Sequence, residues 1–316
     1  MGVFDINVFN EQTKTVMTET IDQDIAKFNE ASGGAIVLIN KPFEGDFSIE
    51  SAFKAIAGLV RRRNAYGSGA QSAKRLQQML DVAVKVAAGT PPIEFEPQQY
   101  RWTLQNPELA AIKIGEQLAK ARLADMLNAG LTAGVAAISG NSDMKLTETG
   151  KADFKMLNKA AAKMGDRSGS LKSWVLHSTI LHGLFDNALT NTERLFSYDG
   201  VHILRDPFGR MFVVTDSPAL YNASGATYNS LGLVEDAIVV NDNNDFFANM
   251  VTSNGDENIK ASYQAEWTFG AAVKGYAWDM SSGGKSPTDT AIGTPTNWDK
   301  IASSNKDTAG VLLVSK

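Results

Sequence analysis

The chain has 316 residues, 43% hydrophobic and 21% charged, with a net charge of −5 and no cysteine. The length is enough for a sizeable core, the missing cysteines exclude disulfides, thiolate nucleophiles and sulfur-ligated zinc, and the negative balance disfavours tight generic binding to a polyanion. No run reaches the roughly 18 apolar residues of a membrane span, and the first thirteen residues hold no Lys or Arg and lead into no apolar run, so a soluble, non-exported protein is expected.

Residues 1 to 33 are polar with scattered apolar positions and end in the turn-forming Ser32-Gly33-Gly34. Without a periodic core of its own, this segment is expected to be an arm that orders against a neighbour. Ala35-Ile-Val-Leu-Ile39 is short, apolar and β-branched, and predicts a strand closed by Lys41-Pro42. Phe53, Ile56, Leu59 and Val60 then recur three or four apart, predicting a helix. Gly67-Ser-Gly69 breaks the chain before a second helical stretch through Leu76, Met79, Leu80 and Ala83. Ile93-Glu-Phe-Glu after Pro91-Pro92 alternates like an exposed strand. The whole excursion reads as a projection with little core, needing another subunit to cover it.

Asn106-Pro107-Glu108 supplies a helix start: an Asn cap, a Pro whose missing N–H costs nothing there, and an acid at the positive end of the dipole. A helix of some 25 residues is predicted from the run that follows, ending near Gly130 or Gly134. Further helices are expected over Asp153–Met164 and Ser173–Leu189, the latter with Trp174, Ile180, Leu181, Leu184 and Phe185 on its apolar side. Short strands follow at 201–204, 211–214, 237–240, 263–267 and 311–314, and Asp206-Pro-Phe-Gly209 makes a hairpin of 201–214. Residues 281–297 read as a long Gly/Ser/Thr/Pro loop.

Little in the chain points to catalysis. His177, His182 and His202 are the only histidines, and the first two lie five apart, unlike the four of a zinc helix. Ser178 has no G-x-S-x-G elbow, and Gly67-Ser-Gly69 is too short for a dinucleotide fingerprint. Asp242, Asp245, Asp256 and Glu257 sit in an Asn-rich stretch without the register of a calcium loop and read as solvated carboxylates. No cofactor is implied.

Charge segregation is sharper. From Ser51 to Ala87 seven basic residues (Lys54, Arg61, Arg62, Arg63, Lys74, Arg75, Lys85) face one acid, Asp81. From Met211 to Ile259 there is no Lys or Arg but seven acids, including Glu235, Asp236, Asp242 and Asp245. A solvated face or a nucleic-acid patch would account for the arginines. Opposite charge on two regions of one chain also suits head-to-tail contacts between identical copies, so Arg61, Arg62, Arg63, Lys74, Arg75, Glu235, Asp236, Asp242 and Asp245 are the candidate subunit-interface residues.

Trp174-Val-Leu-His-Ser178, Leu189-Thr-Asn191, Leu195-Phe-Ser-Tyr198 and Asp206-Pro-Phe-Gly-Arg210 with Val213-Val-Thr-Asp-Ser-Pro218 resemble one group of tailed-phage major capsid proteins. The wording agrees over about 170 to 220, the order of segments over the whole chain. The resemblance implies an α+β, Hong Kong ninety-seven-like phage capsid fold: an N-terminal arm (1–33), an extended loop over a neighbouring subunit (34–100), a peripheral domain with a long spine helix (101–169), an axial domain (170–260), and a return to the peripheral domain (261–316). It implies no enzyme but a shell protein, self-assembling into pentamers and hexamers as an icosahedral virion capsid that encloses DNA without sequence-specific binding. Scaffolding, decoration and portal proteins are the further partners it implies, with assembly in the host cytoplasm and no membrane. There is no room before the arm for a long cleaved scaffolding segment, so a separate scaffold or earlier processing is expected. An encapsulin-like compartment shell and an unrelated α+β hydrolase using Ser178 or an acid pair stand as alternatives.

Overall fold

The computed structural model describes residues 6–53, 65–68, 78–96, 107–185, 193–198, 201–205, 211–254 and 257–316. Residues Ile6–Ala31 form one long helix, α1, where a loose arm was expected. Its apolar positions are sparse, but Met17, Ile21, Ile25 and Phe28 recur at helical spacing and are buried. The surface that covers them belongs to the same chain. Gly33 (φ 65°) and Gly34 (φ 71°) turn the chain out of the helix into β1 (Ile36–Asn40).

The excursion is a β-ribbon at its base. β2 (Phe47–Phe53) pairs antiparallel with β3 (Gln78–Gly89), from Phe47 opposite Val84 to Phe53 opposite Gln78. The helix predicted through Leu76 to Ala83 is thus corrected to a strand over the residues described. Val82, Val84 and Val86 alternate and are all buried, so the period of two over this β-branched run outweighs the helical spacing of its leucines and Met79. The helix expected from Ile49 is likewise β2 as far as Phe53, and its remainder lies outside the described residues. The strand after Pro91-Pro92 is β4 (Ile93–Phe95).

The helix from Pro107, α2, runs to Ser139, well past the predicted end. From Leu118 onward it is apolar nearly all round and buried. Gly130 and Gly134 are close-approach positions instead of ends: a Cβ at 134 would lie 2.6 Å from Ile238 Cδ1, and one at 130 would lie 2.8 Å from Val240 Cγ2. Gly115 does the same for α1, where a Cβ would meet the Thr13 carbonyl at 2.9 Å.

Beyond α2 come β5 (Lys145–Thr147) and α3 (Phe154–Ala161), the latter capped by Asp153, whose carboxylate accepts from the Met156 amide at 2.6 Å. Residues Ser173–Leu176, expected to begin a helix, form the fully buried strand β6, and helix α4 starts only at Ser178 and runs to Phe185. Trp174 explains the difference: its ring lies over Gly232 of a neighbouring strand, where a Cβ would come within 2.9 Å, a contact that an extended backbone delivers. Then follow β7 (Glu193–Tyr198), β8 (Val201–Arg205), β9 (Met211–Thr215), β10 (Tyr221–Asn222), β11 (Thr227–Leu233), β12 (Ile238–Asp242), β13 (Phe247–Ser253), the 14-residue β14 (Lys260–Val273), β15 (Tyr276–Trp278), a short helix α5 (Asp289–Ile292), β16 (Trp298–Lys300) and β17 (Gly310–Ser315). The 201–214 hairpin forms as predicted, from Val201 opposite Thr215 to Arg205 opposite Met211.

Two mixed sheets result. One runs β1-β12-β14-β15-β16, with β3, β4 and β13 also on β14 and β2 on β3; the other runs β5-β17-β11-β6-β9-β8-β7, with β10 on β11. Helix α2 packs against strands of both, and one hydrophobic core spans them. The sheets do not follow the expected segment boundaries. β12 and β13, inside 170–260, belong with β14, while β17, inside 261–316, pairs with β11. β1 pairs with β12 in the main sheet, so the projecting ribbon starts near Phe47 and not at residue 34.

Candidate interaction surfaces

The candidate residues from charge divide sharply. Arg61, Arg62, Arg63, Lys74 and Arg75 lie outside the described residues. Of the acids, Asp242 is corrected from a surface candidate to a buried one: its carboxylate binds the Arg122 guanidinium, with side-chain exposures of 7% and 2%. It also accepts from the Asn244 amide at 2.8 Å. Burial pushes the Asp242 carboxyl up, and the guanidinium and that amide pull it back. Trp267 lies 5.8 Å from the Arg122 guanidinium carbon and stacks on Phe246. This pair locks α2 to the end of β12 and is not available to a neighbour.

Glu235 and Asp236 do sit outside, in the turn from β11 to β12. The Glu235 carboxylate is 3.8 Å from Lys172 Nζ, and its carbonyl accepts from Lys274 Nζ at 2.7 Å. Asp236 has a φ of 54°, and its amide donates to the Gly34 carbonyl at 2.7 Å. Asp245 is exposed before β13, its carboxylate accepting from the Thr268 amide at 2.7 Å and from the Thr268 hydroxyl. Three of the four acids therefore remain on the surface.

At the root of the ribbon, Glu50 and Asp81 stand directly opposite each other across the β2–β3 ladder. Like charges in that position repel, and Glu50 takes Lys41 as a partner at 3.4 Å. Burial first, and then Glu50, push the Asp81 carboxyl above its usual range. Beside the ribbon a cleft of about 790 Å3 opens between β3, β15 and β16, lined by Leu80, Val82, Trp278, Met280, Asp279 and Lys300. The hydroxyls and amides of Ser281 and Ser282 hold Asp279 down to about 2.

Sequence reasoning missed β13. Phe247 and Val251, two pleats apart on its outer face, are 62% and 54% exposed. The signal in the sequence was a stretch without charge between Asp245 and Asp256.

The histidine region is not built for hydrolysis. The Thr179 amide donates to His177 Nδ1 at 3.2 Å, and Nε2 faces Asp216 at 3.4 Å. The ring packs beside Tyr228 and Tyr221. Both nitrogens are thereby engaged, leaving none to accept a proton from Ser178. Among the described residues no three His, Asp or Glu side chains gather as a metal would require, and no helix is long and apolar enough to cross a membrane.

The profile of the Gp13-like family, described as major capsid protein 13-like, matches residues 5–312. No curated protein matches the sequence. Among solved structures, the cyanophage Pam1 capsid protein is similar with a TM-score of 0.50 at 11% identity, over 88% of each chain. A Microbacterium phage Oxtober96 chain gives 0.48 at 12% identity over 90% of this chain and 91% of its own, and the capsid of Myoviridae phage XM1 gives 0.46 at 12% over 90% of each. At these identities the Pam1 likeness speaks to the fold alone.

Proposed function

The chain belongs to the Gp13-like family of major capsid proteins, and from that premise we propose that it forms pentamers and hexamers that close into the icosahedral head of a tailed phage. It is a structural protein of the phage head, not an enzyme, and its fold is of the Hong Kong ninety-seven type. The match across residues 5–312 is the observation that carries this reading.

In the proposed arrangement the β2–β3 ribbon is the root of the extended loop that reaches a neighbouring subunit. The first sheet with α2 makes the peripheral domain, and the second sheet supplies the axial domain. The basic residues Arg61, Arg62, Arg63, Lys74 and Arg75 of one copy face Glu235, Asp236 and Asp245 of the next, Asp242 being withdrawn by its pairing with Arg122. The assembled shell is the virion capsid, built in the host cytoplasm with scaffolding, decoration and portal proteins as further partners. It encloses DNA without reading its sequence, in keeping with a net charge of −5.

Replacing Arg61, Arg62 and Arg63 together by Glu tests the contact. The expected result is a folded subunit that assembles poorly or into aberrant particles by sedimentation and electron microscopy. Normal shells from the triple variant would remove the electrostatic contact from the proposal.

A further inference from the structure

We propose that the open side of β13 is a docking edge, to which an extended, basic segment of a second copy of this chain adds as a further strand. The inference rests on the capsid reading above and names the place and manner of one contact in it.

An exposed strand edge is a template for another chain, and proteins that do not use an edge blunt it with charge, proline, a bulge or a cap. The edges in this molecule can be compared on that basis. β1 is capped from α1: Asn29 Nδ2 donates to the Leu38 carbonyl at 2.6 Å, Asn29 Oδ1 accepts from the Leu38 amide at 2.9 Å, and the Ser32 hydroxyl donates to the Ile36 carbonyl at 3.1 Å. β2 carries Glu50 and β7 carries Glu193 and Arg194. β13, Phe-Ala-Asn-Met-Val-Thr-Ser, carries no charge and no proline. Its ladder with β14 runs unbroken from Phe247 opposite Glu266 to Ser253 opposite Lys260, and no other described strand pairs with it. It is therefore flat, regular and unprotected on one side, with Phe247 and Val251 prominent on its outer face.

Charge selects the occupant. Asp245, Glu257, Glu266 and Glu94 are exposed around this strand, against Lys260 alone on β14. Two β13 edges paired with each other would bring two acidic rims together, which disfavours a symmetric contact. A basic strand is the complement, and within this chain the basic stretch is 51–87, with seven Lys and Arg against one acid. The contact is thus head-to-tail between unlike surfaces of identical copies, the kind that generates closed rings. Main-chain pairing would supply adhesion, the pockets beside Phe247 and Val251 register, and the rim choice of partner.

Two measurements on the full-length chain test this. In the wild type, hydrogen–deuterium exchange of the β13 amides is compared between free subunits and assembled particles, and a slowing of about tenfold or more on assembly is expected from strand addition. In parallel, Phe247→Lys and Val251→Lys are introduced together. Because both positions are exposed, circular dichroism and Tm should stay at wild-type values while the concentration needed for assembly rises about tenfold or more. Particles whose β13 amides exchange as fast as in free subunits overturn the docking edge and leave the capsid reading standing. Assembly of the folded double variant at the wild-type concentration does the same. A wild type that forms no particles under any condition overturns both.

Discussion

The α2–β12 contact and the open side of β13 put similar residues to opposite uses. In the first, Gly130 and Gly134 remove side chains so that Val240 and Ile238 come against the helix backbone, and the Arg122–Asp242 pair closes one end. In the second, Phe247 and Val251 stand in solvent on a strand with no charge to guard its edge. The strands are separated by only four residues and share β14 as a neighbour. What differs is whether the same chain supplies the covering surface, so the pattern of apolar residues alone does not distinguish a core from an interface.

The largest effect on this comparison should come from breaking the covered region. Asp242→Ala leaves the Arg122 guanidinium buried without its carboxylate, and the expected loss is about 3–5 kcal/mol of subunit stability. Urea unfolding of the free subunit would show it, and adding Arg122→Met should restore a large part by removing the stranded charge. A loss below the range of ordinary surface substitutions would mean that the pair is open to water and that the two regions are less different than the coordinates imply.

A smaller effect is expected from Gly134→Val. The new side chain must enter where a Cβ already lies 2.6 Å from Ile238 Cδ1, so α2 and β12 are forced apart at about 1–3 kcal/mol. Lys at Phe247 and Val251 should change stability by no more than about 0.5 kcal/mol, which makes the pair of experiments a direct contrast. Stability falls where a surface is covered and assembly falls where it is open.

Much of this arrangement was readable before the coordinates. The start of α2 followed from Pro107 and its neighbours, the strands β1, β4, β8, β9, β12, β14 and β17 from short β-branched runs, and the hairpin of β8 and β9 from Asp206-Pro-Phe-Gly209. The capsid resemblance over 170–220 pointed to the right fold and function. The failures share a cause. Gly130 and Gly134 looked like helix ends because a glycine in a sequence does not say whether it turns the chain or admits a neighbour. Leu76 to Ala83 had helical spacing, but the ladder with β14 fixed Gln78 onward as strand. α1 lacked a visible core because four buried residues in 26 make a narrow stripe that only α2 completes. Asp242 was grouped with the surface acids because its partner, Arg122, is 120 residues away in sequence. In each case the deciding contact was distant, and local pattern had no access to it.

The smallest expected effect lies in the ribbon, which is neither fully covered nor fully open. Asp81 is partly buried opposite Glu50, and one of its oxygens is buried without a hydrogen-bond partner. Its carboxyl is raised above 3.8, so the folded state holds that proton more tightly than the unfolded state does. Below 3.8 both states are protonated and the group is neutral to stability. As pH rises from 3.8 through the raised folded value, the unfolded chain releases the proton first, and stability falls until both states are ionised. Asp81→Asn removes that charge. The variant should match the wild type at pH 3 and exceed it at pH 7 by up to about 1 kcal/mol, the scale of one cross-strand pair. Urea midpoints of the free subunit at the two pH values decide the matter, and a gain as large at pH 3 as at pH 7 would show that packing and not charge sets the cost at this position. If instead the gain at pH 7 disappears on assembly, a neighbouring copy supplies the cation that Asp81 lacks in the isolated chain, and the ribbon belongs with β13 among the surfaces completed only by a second subunit.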